Sequence, residues 1–274
     1  MTNRILFARS LFGRLLALFC LAGLAAVALY SNASASTLVV DPNDCTAPST
    51  NYCTIQTAIN AAAVGDTVQV KNGVYPESLD IYKPLTLQGE SRDGVQINAS
   101  TFADYGIDAQ GDFAFVFRDF TLDGPDGNVS SRYGLKVAGE NATATIENVR
   151  VIGSGRTGVD LNGLVGATVR NVVAENNGGA GIALTDSSNV TLENITTNNN
   201  PWGGVAIYTY GRYYTGGSSN ISLTGTNSFG ELGQFYIEVA NFTTPASPYP
   251  VTNFTQNTFS YQVTNTLMPA YTFY

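Results

Sequence analysis

The sequence predicts an all-β protein that coils as a solenoid, a parallel β-helix with a short capping helix near its start. Three observations support this fold class. Two columns of residues recur every 23 positions, each repeat holds two short segments in which apolar and polar residues alternate, and clusters of Gly, Asn and Ser separate these segments. Alternation with a period of two is typical of strands with one buried face, and a coil of about 22–23 residues fits a parallel β-helix.

Two registered columns define the repeat. An asparagine occupies the first, in the phrases ENV, RNV and ENI, and a glycine begins the second, in GVDL, GIAL and GVAI. Strands this short cannot bury an apolar face alone, but stacked coils would form one continuous core. A leucine-rich repeat would need Leu and Asn at fixed offsets, and the sequence has no such consensus. The columns are Asn148, Asn171 and Asn194, and Gly158, Gly181 and Gly204.

Residues 1–35 are predicted to be a secretory signal peptide that takes no part in the fold. Three arginines give a basic start, residues 15–29 form an apolar run, and Ala-Ser-Ala at 33–35 is a typical cleavage pattern. The run is shorter than the roughly 20 residues that a bilayer span needs, so we expect cleavage, export and no membrane span in the mature chain. An uncleaved anchor helix is the alternative.

Two cysteines follow the predicted leader, Cys45 and Cys53. In an exported chain we expect them to form a disulfide that closes a short loop. Two free thiols are the alternative, which is typical of cytosolic proteins.

The composition excludes several kinds of chemistry. The sequence contains no histidine and has a formal net charge of −8 at pH 7, which would become −11 without the leader's three arginines. Ser-His-Asp and Cys-His catalysis and His-ligated metal sites are therefore excluded. The acidic balance also gives no basic footprint for nucleic acid. Acid–base chemistry would depend on Asp, Glu, Lys, Arg or Tyr.

A short helix is predicted before the repeats, in the phrase TIQTAINAA. Ile55, Ala58, Ile59 and Ala62 fall on one helical face, and Gly65 ends the segment. The phrases GDTVQVKNGVYPESLDI and KPLTLQGES follow directly. A helix at this place could cover the open end of a solenoid, which otherwise exposes an apolar cross-section and unpaired strand edges.

With the repeat, these phrases resemble the right-handed parallel β-helix proteins of the pectin-lyase-like superfamily, over about residues 38–240. The resemblance implies a right-handed coil with the helix as its N-terminal cap. It is informative about fold rather than activity, because this fold carries many functions. The predicted segments are the signal peptide at 1–35, an N-terminal cap with the disulfide at 36–65, the β-helix at 66–240 and a C-terminal cap or tail at 241–274.

The motifs of several enzymes of this superfamily are absent. Pectinesterases carry a catalytic Gln and two Asp residues with an Arg in fixed motifs, and polygalacturonases need Asn-Thr-Asp, Asp-Asp, Gly-His-Gly and Arg-Ile-Lys; neither set is present. Alginate-type epimerases depend on His and are excluded. Lyases with a lone Lys or Arg base have no clear short motif, so the sequence leaves them open.

Two kinds of ladder should run along the stacked coils. The asparagine column is expected to point inward, with its amides hydrogen-bonded to one another and to the backbone. The neighbouring column reads Arg118, Glu147, Arg170 and Glu193, and its alternating signs predict an exposed charge ladder that helps to fix the register.

A third column suggests a candidate catalytic centre. The phrases GIDA, GLKV and GVDL align Asp108, Lys136 and Asp160, and two alanines follow in the next repeats. A lysine between carboxylates could form the floor of a groove, and the superfamily's lyases use a Lys or Arg base, often with Ca²⁺. The candidate catalytic residues are Lys136, Asp160 and Arg156. Flanking carboxylates stabilise an ammonium, however, which favours a surface salt-bridge ladder over a base.

Insertions near 124–133 and 208–217 break the 23-residue rhythm, and such insertions often lie on a binding face. Aromatic rings suit sugar faces and arginines suit uronate carboxylates. The alternative is that these aromatics only cover the side of the solenoid. The candidate substrate-binding residues are Arg132, Tyr133, Trp202, Tyr208, Tyr210 and Arg212.

A cation site is a weaker hypothesis. Asp123, Asp126 and Asn128 could offer oxygens to Ca²⁺, but the phrase DGPDGN does not match an established calcium loop. No other cofactor is indicated.

Three functions fit the sequence. The leading hypothesis is a secreted β-helix that binds extracellular polysaccharide or cell-surface glycan, or acts as a surface or structural module, without catalysis. The first alternative is a polysaccharide lyase or glycoside hydrolase acting on acidic polysaccharide. The second is a protein-binding adhesin or spacer. The sequence carries no signal for an oligomeric state.

Overall fold

The computed structural model describes residues 35–46, 50–102, 104–126, 132–209, 218–231, 237–241, 255–256, 259–261 and 271–273. The predicted leader therefore lies outside the described residues, as does most of 241–274. Within the described part of the chain, no helix has the length and apolar character needed to cross a membrane.

The described residues form one short helix and many short strands. Helix α1 spans Ile55–Ala61. The strands are β1 Thr37–Val40, β2 Thr67–Val70, β3 Gly73–Tyr75, β4 Leu79–Ile81, β5 Leu85–Gly89, β6 Val95–Asn98, β7 Tyr105–Gln110, β8 Ala114–Asp123, β9 Tyr133–Ala138, β10 Thr143–Ile152, β11 Val159–Asn162, β12 Gly166–Arg170, β13 Val173–Glu175, β14 Ala180–Thr185, β15 Ser188–Glu193, β16 Thr196–Asn198, β17 Gly203–Thr209, β18 Ser219–Thr224, β19 Asn227–Gly230, β20 Ile237–Asn241, β21 Thr255–Gln256, β22 Phe259–Tyr261 and β23 Tyr271–Phe273.

These strands stack in parallel as a right-handed β-helix, which confirms the predicted fold class. An eight-stranded sheet runs in the order β23-β20-β17-β14-β11-β9-β7-β4. The second sheet has 15 strands. Nine of them run in the order β1-β2-β5-β8-β10-β12-β15-β18-β21, and the other six form a further side of the coil: β3, β6, β13, β16, β19 and β22. The long strands β8 and β10 take part in both sides, because they run through the corner between them.

The core lies inside the coil, where the alternating pattern predicted it. Val159 and Leu161 of β11 pair in register with Ile182 and Leu184 of β14, and all four side chains are fully buried. Burying an aliphatic side chain of this size stabilises the fold by about 1.5–3 kcal/mol. Stacked rungs of such residues supply the continuous core that no single repeat could form.

Helix α1 is fixed at both ends. The Thr54 side chain accepts a hydrogen bond from the Thr57 backbone N–H, and the Glu77 carboxylate accepts from two further N–H groups of the first turn. Lys83 Nζ donates to the Ala62 carbonyl at 2.6 Å, at the other end. These contacts satisfy backbone groups that a helix leaves unpaired. The predicted Cys45–Cys53 disulfide is also present.

The asparagine column lies at an outer corner, so the expectation of inward amides is wrong. Asn148, Asn171 and Asn194 have φ values of 54°, 54° and 53°. Asn tolerates this left-handed conformation better than most residues, which is why the corner repeats it. The amides still form a ladder, because Asn194 Nδ2 donates to Asn171 Oδ1 at 3.1 Å.

A different set of asparagines forms the inward ladder. Asn177 is 1% exposed and Asn200 is fully buried, and Asn177 Nδ2 donates to Asn200 Oδ1 at 3.0 Å. Asn200 Nδ2 then donates to Oε1 of Glu231 at 2.9 Å. At the other end, the Ser154 backbone N–H donates to Asn177 Oδ1 at 3.1 Å. Each buried amide therefore has a partner in the next coil.

The predicted charge ladder is present on the outer face of the second sheet. Glu147 bridges Arg118, at 3.7 Å, and Arg170 on the next strand. Glu193 pairs with Arg170 in the register of β12 and β15. Each half-exposed ion pair of this kind contributes only about 0–1 kcal/mol to the stability of the fold. A slip of register by one coil would, however, bring like charges opposite each other, so the ladder helps to fix the register.

Candidate functional site

The candidate site lies on the outer face of the eight-stranded sheet. Its register places Lys136 of β9 between Asp108 of β7 and Asp160 of β11, as the alignment of the repeat phrases predicts. Asp80 of β4 precedes this column, and Ala183 of β14 follows it. Adjacent rungs are separated by about 4.8 Å.

Lys136 interacts with two tyrosine rings. Its Nζ lies 5.2 Å from the centre of the Tyr105 ring and 5.0 Å from that of Tyr133. Among the described residues it makes no ion pair with Asp108 or Asp160, so the expected salt-bridge ladder is wrong at this position. The electron-rich faces of the rings attract the ammonium instead.

Arg156 continues the same arrangement towards the C-terminus. Its guanidinium carbon lies 5.1 Å from the ring centre of Tyr133 and 5.1 Å from that of Trp202. Gly179 occupies the rung between Arg156 and Trp202, and a Cβ there would come within 3.1 Å of the Trp202 ring. The glycine therefore leaves the space that lets the indole reach back over Arg156.

Tyr133 has contacts on its ring faces from both directions. Tyr105 stacks on it with ring centres 5.7 Å apart and an angle of 15° between the planes, and Arg156 lies over it as well. Tyr133 thus contacts both cations, Lys136 and Arg156, as well as the Tyr105 ring. Trp202 is different, because it is 42% exposed and keeps ring surface available.

Asp108 and Asp160 are outward-facing but buried, with 5% and 6% exposure. Gln110 Nε2 donates to Asp108 Oδ2 at 2.6 Å, and Asn162 Nδ2 donates to Asp160 Oδ2 at 2.7 Å. Asp108 Oδ1 is buried without a hydrogen-bond partner. Each carboxyl therefore has an amide partner two residues along its own strand.

Burial changes how these carboxyls titrate. It raises the pKa of Asp160 to about 6, against the opposing effects of Lys136, Asn162 and Arg156. It also raises the pKa of Asp108, although the hydrogen bond from Gln110 and the charge of Lys136 oppose the shift. In mildly acid solution the column thus loses negative charge beside Lys136 and Arg156. Such a site can bind an anion, and Asp160 can carry a transferable proton.

The other predicted binding residues are placed as follows. Arg132 is half-buried beside this cluster; its carbonyl accepts from the Arg156 N–H at 2.8 Å, and its Nε is buried without a hydrogen-bond partner. The backbone of Tyr208 in β17 pairs with Thr185 in β14, but the Tyr208 side chain lies outside the described residues. Tyr210 and Arg212 also lie outside them.

The candidate calcium residues lie only partly within the described residues. Burial raises the pKa of Asp123, and the charge of the nearby Asp126 raises it further. Asn128 lies outside the described residues. Across the part of the chain that the structure describes, no three His, Cys, Asp or Glu side chains are grouped to hold a metal ion. Ca²⁺ takes 6–8 oxygen ligands, more than Asp123 and Asp126 alone provide, so the calcium site stays a prediction.

Tyr105 and Tyr82 are not among the predicted site residues. Tyr105 precedes GIDA as Tyr133 precedes GLKV, so the repeat alignment itself carried the signal. Tyr82 is 59% exposed. Its remaining burial raises the pKa of its hydroxyl, and the charges of Asp80 and Asp108 raise it further. Tyr82 therefore lies beside the same column. Both tyrosines extend the aromatic surface towards the N-terminal coils.

Comparison with known proteins agrees with this architecture. Residues 90–266 match the family model described as a right-handed beta helix region. The chain belongs to this family. It is a right-handed β-helix protein with a pectin-lyase-like fold. A search of curated protein sequences finds no match.

Several solved structures are similar to this chain at low sequence identity. A polygalacturonase from Erwinia carotovora is 16% identical, with a TM-score of 0.54 over 84% of this chain and 81% of that one. A pectin methylesterase from Erwinia chrysanthemi is 16% identical, with a TM-score of 0.47 and the same coverage. A mannuronan C-5 epimerase module from Azotobacter vinelandii is 17% identical, with a TM-score of 0.49 over 80% of this chain and 74% of that module. At these identities, the likeness concerns the fold.

Proposed function

We propose that this β-helix binds an acidic carbohydrate on the outer face of its eight-stranded sheet. The observation that carries the proposal is the position of Arg156 between the rings of Tyr133 and Trp202. A guanidinium held between rings is preorganised, so it loses less entropy when it binds a ligand. Its planar N–H groups match the two oxygens of a carboxylate. The similarity to a polygalacturonase supports a carbohydrate as the ligand class.

The neighbouring groups supply the rest of a sugar site. Lys136 adds a second positive charge one rung away, and the exposed surface of Trp202 can cover the apolar face of a sugar ring. Protonation of Asp160 would remove the nearest negative charge. The overall net charge of −8 opposes acidic ligands, so binding depends on this local arrangement.

Binding can be followed by the fluorescence of Trp202, because it is the protein's single tryptophan. We expect oligogalacturonate to change the emission with saturation, and a neutral oligosaccharide of equal length to bind about tenfold more weakly. Arg156→Gln should abolish this preference. Arg170→Gln is the matched control, since that arginine pairs with Glu147 on the other sheet. No binding by wild-type protein to any carbohydrate would refute the proposal and favour an adhesin or spacer.

We also propose that the protein acts outside the cytosol. The predicted signal peptide at 1–35 and the Cys45–Cys53 disulfide support export. Expression in a secreting host should release a protein whose N-terminal residue is Ser36, as Edman sequencing would show. Retention of the protein in the cytosol with both thiols free would contradict export.

A second candidate function is hydrolysis or elimination in the same carbohydrate. It is favoured by the buried carboxyl of Asp160, whose pKa of about 6 suits a general acid near neutral pH. Asp160 would protonate the leaving glycosidic oxygen. In hydrolysis, Asp108, two rungs or about 9.6 Å away on the other side of Lys136, would take a proton from the water that attacks the anomeric carbon; in elimination, Lys136 would take the ring proton beside the sugar carboxylate. That separation is at the upper end of the range for inverting carboxylate pairs.

Product analysis separates binding from catalysis. Hydrolysis of polygalacturonate would release reducing ends without ultraviolet absorbance, and elimination would add the absorbance of an unsaturated sugar. Either activity should fall at least 100-fold in Asp160→Asn, because removing a positioned acid or base typically costs this much. Wild-type protein that binds the polymer but releases no product over days would exclude the catalytic candidate.

A further inference from the structure

A cleft of about 340 Å³ opens where strands β7 and β9 end, beside the candidate site. Lys136 and Ala138 line it from β9. The turns after the two strands supply the remaining walls, and they lie close together, since a Cβ at Gly139 would come within 2.5 Å of the Gly111 carbonyl oxygen. The size is within the range of small-ligand sites. The remaining lining residues are Gln110, Gly111, Asp112, Gly139 and Glu140.

The rim of this cleft is acidic. Asp112 and Glu140 are both exposed there. The Asn141 backbone N–H and Nδ2 donate to the Asp112 carboxylate at 2.9 and 3.3 Å, and these hydrogen bonds hold the pKa of Asp112 below its ordinary value. The rim therefore stays negatively charged in solutions where Asp160 is neutral. It opposes a carboxylate, whereas its oxygens can accept hydrogen bonds from sugar hydroxyls.

The cleft and the Arg156 cluster occupy opposite ends of one strand. Tyr133, which contacts Arg156, is the first residue of β9, and Ala138, which lines the cleft, is the last. Five residue steps along the strand separate them by about 17 Å. A chain lying along β9 would meet the arginine at one end, Lys136 on the way and the acidic rim at the other end.

We propose that this cleft binds an uncharged sugar unit, so that the preferred ligand is a polysaccharide in which acidic units are interspersed with neutral ones. The inference rests on the proposed carbohydrate-binding function and specifies its substrate class. The Lys136 ammonium and the N–H of Gln110 that is not bonded to Asp108 supply hydrogen-bond donors, and the two rim carboxylates supply acceptors; these groups match the hydroxyls of a neutral sugar.

The experiment uses oligogalacturonates of one length with none, half or all of their carboxylates methyl-esterified, so that only ligand charge varies. Trp202 fluorescence and calorimetry measure the affinity. We expect the half-esterified ligand to bind wild-type protein about two- to fivefold more tightly than either of the others. Glu140→Lys should shift the preference to the fully ionised ligand. Asp93→Lys, a charge reversal at a 79% exposed side chain away from the cleft, should leave the order unchanged.

The outcomes separate the two proposals. If no ligand of the series binds wild-type protein, the proposed function and this inference both fail. If the fully ionised ligand binds best to wild-type protein, the cleft proposal alone is overturned, whatever the order in Glu140→Lys. Tighter binding of a cationic glucosamine oligomer than of the half-esterified ligand would also overturn it, because the rim would then select a positive charge.

Discussion

The guanidinium carbon of Arg156 lies 5.1 Å from the centre of the Trp202 ring, although the two residues are 46 positions apart in the sequence. They are two rungs apart in the coil, and Gly179 on the rung between them has no side chain to separate them. The repeat thus creates a contact that neither residue could make within a single coil. The contact joins the protein's single tryptophan to the cationic part of the candidate site.

Loss of the indole should weaken both the fold and ligand binding. We expect Trp202→Ala to lower the free energy of unfolding by about 1–2 kcal/mol, because Arg156 loses one of its rings and apolar surface becomes exposed. Urea unfolding followed by circular dichroism would measure the change. Trp202→Phe keeps a ring face and should recover about half of the loss. Equal stability of wild type and Trp202→Ala would show that the contact contributes nothing.

Binding of acidic ligands should strengthen as the pH falls through about 6. Burial raises the pKa of Asp160 to this value, so below it the carboxyl becomes neutral and no longer repels a uronate ligand beside Lys136 and Arg156. Asp108 faces the same lysine, and its pKa is raised as well. Between pH 7.5 and 5 we expect a two- to tenfold gain in affinity, measured by calorimetry at constant ionic strength.

Asp160→Asn provides the control for this pH dependence. The amide keeps the shape of the carboxyl but cannot ionise, so the variant should bind at pH 7.5 about as tightly as wild-type protein binds at pH 5. Asp93→Asn, at an exposed carboxyl outside the site, should keep the wild-type profile. An unchanged profile in Asp160→Asn would assign the pH dependence to another group.

The sequence predicts the coil and its register because both follow from periodicity. Val159 and Ile182 are 23 positions apart and pair directly, and alternation identifies both as inward. The asparagines are harder to assign. Asn176 and Asn177 are adjacent and chemically identical, yet Asn176 turns the outer corner with φ 57° while Asn177 lies in the buried ladder. Composition and spacing do not distinguish an amide that sets a backbone turn from one that is buried.

The candidate site was only partly predictable for a similar reason. The register placed Lys136 between two aspartates and aligned Tyr105 with Tyr133, but it did not show that both tyrosine rings contact the Lys136 ammonium. Tyr133 and Lys136 are three residues apart, so strict alternation would place them on opposite faces. Tyr133 is the first residue of β9, at a turn where the alternation does not hold. Contacts at the coil corners depend on turn geometry, which the repeat does not specify.

The outer corner predicts a simple order of stabilities at position 171. Asn171 is exposed, with φ 54°, and its Oδ1 accepts from Asn194 Nδ2. Asn171→Ala should lower the free energy of unfolding by about 1–2 kcal/mol, because a residue with a Cβ and no local hydrogen bond is strained in this conformation. Asn171→Gly should cost less, since glycine adopts it freely. Urea midpoints that rank Ala above Gly would contradict the order.

The buried ladder predicts how stability depends on pH. Glu231 is 2% exposed, accepts a hydrogen bond from Asn200, and has a second oxygen, Oε2, that is buried without a hydrogen-bond partner. Burial raises its pKa from the ordinary 4.5 to about 7, so folding favours the protonated form. The stabilisation is fully present below pH 4.5 and is lost as the pH rises to about 7. By linkage, the loss from this group is about 3 kcal/mol.

Glu231→Gln tests this assignment, because glutamine continues the amide ladder without an ionisable proton. We expect the variant to be more stable than wild-type protein by about 1–3 kcal/mol at pH 8 and similar to it at pH 4.5. Urea unfolding at both pH values would measure the difference. Glu193→Gln, on the outer charge ladder, controls for the loss of one negative charge. If Glu231→Gln destabilised the protein equally at both pH values, the carboxyl would be needed for its shape, and the pH dependence would have to come from other groups.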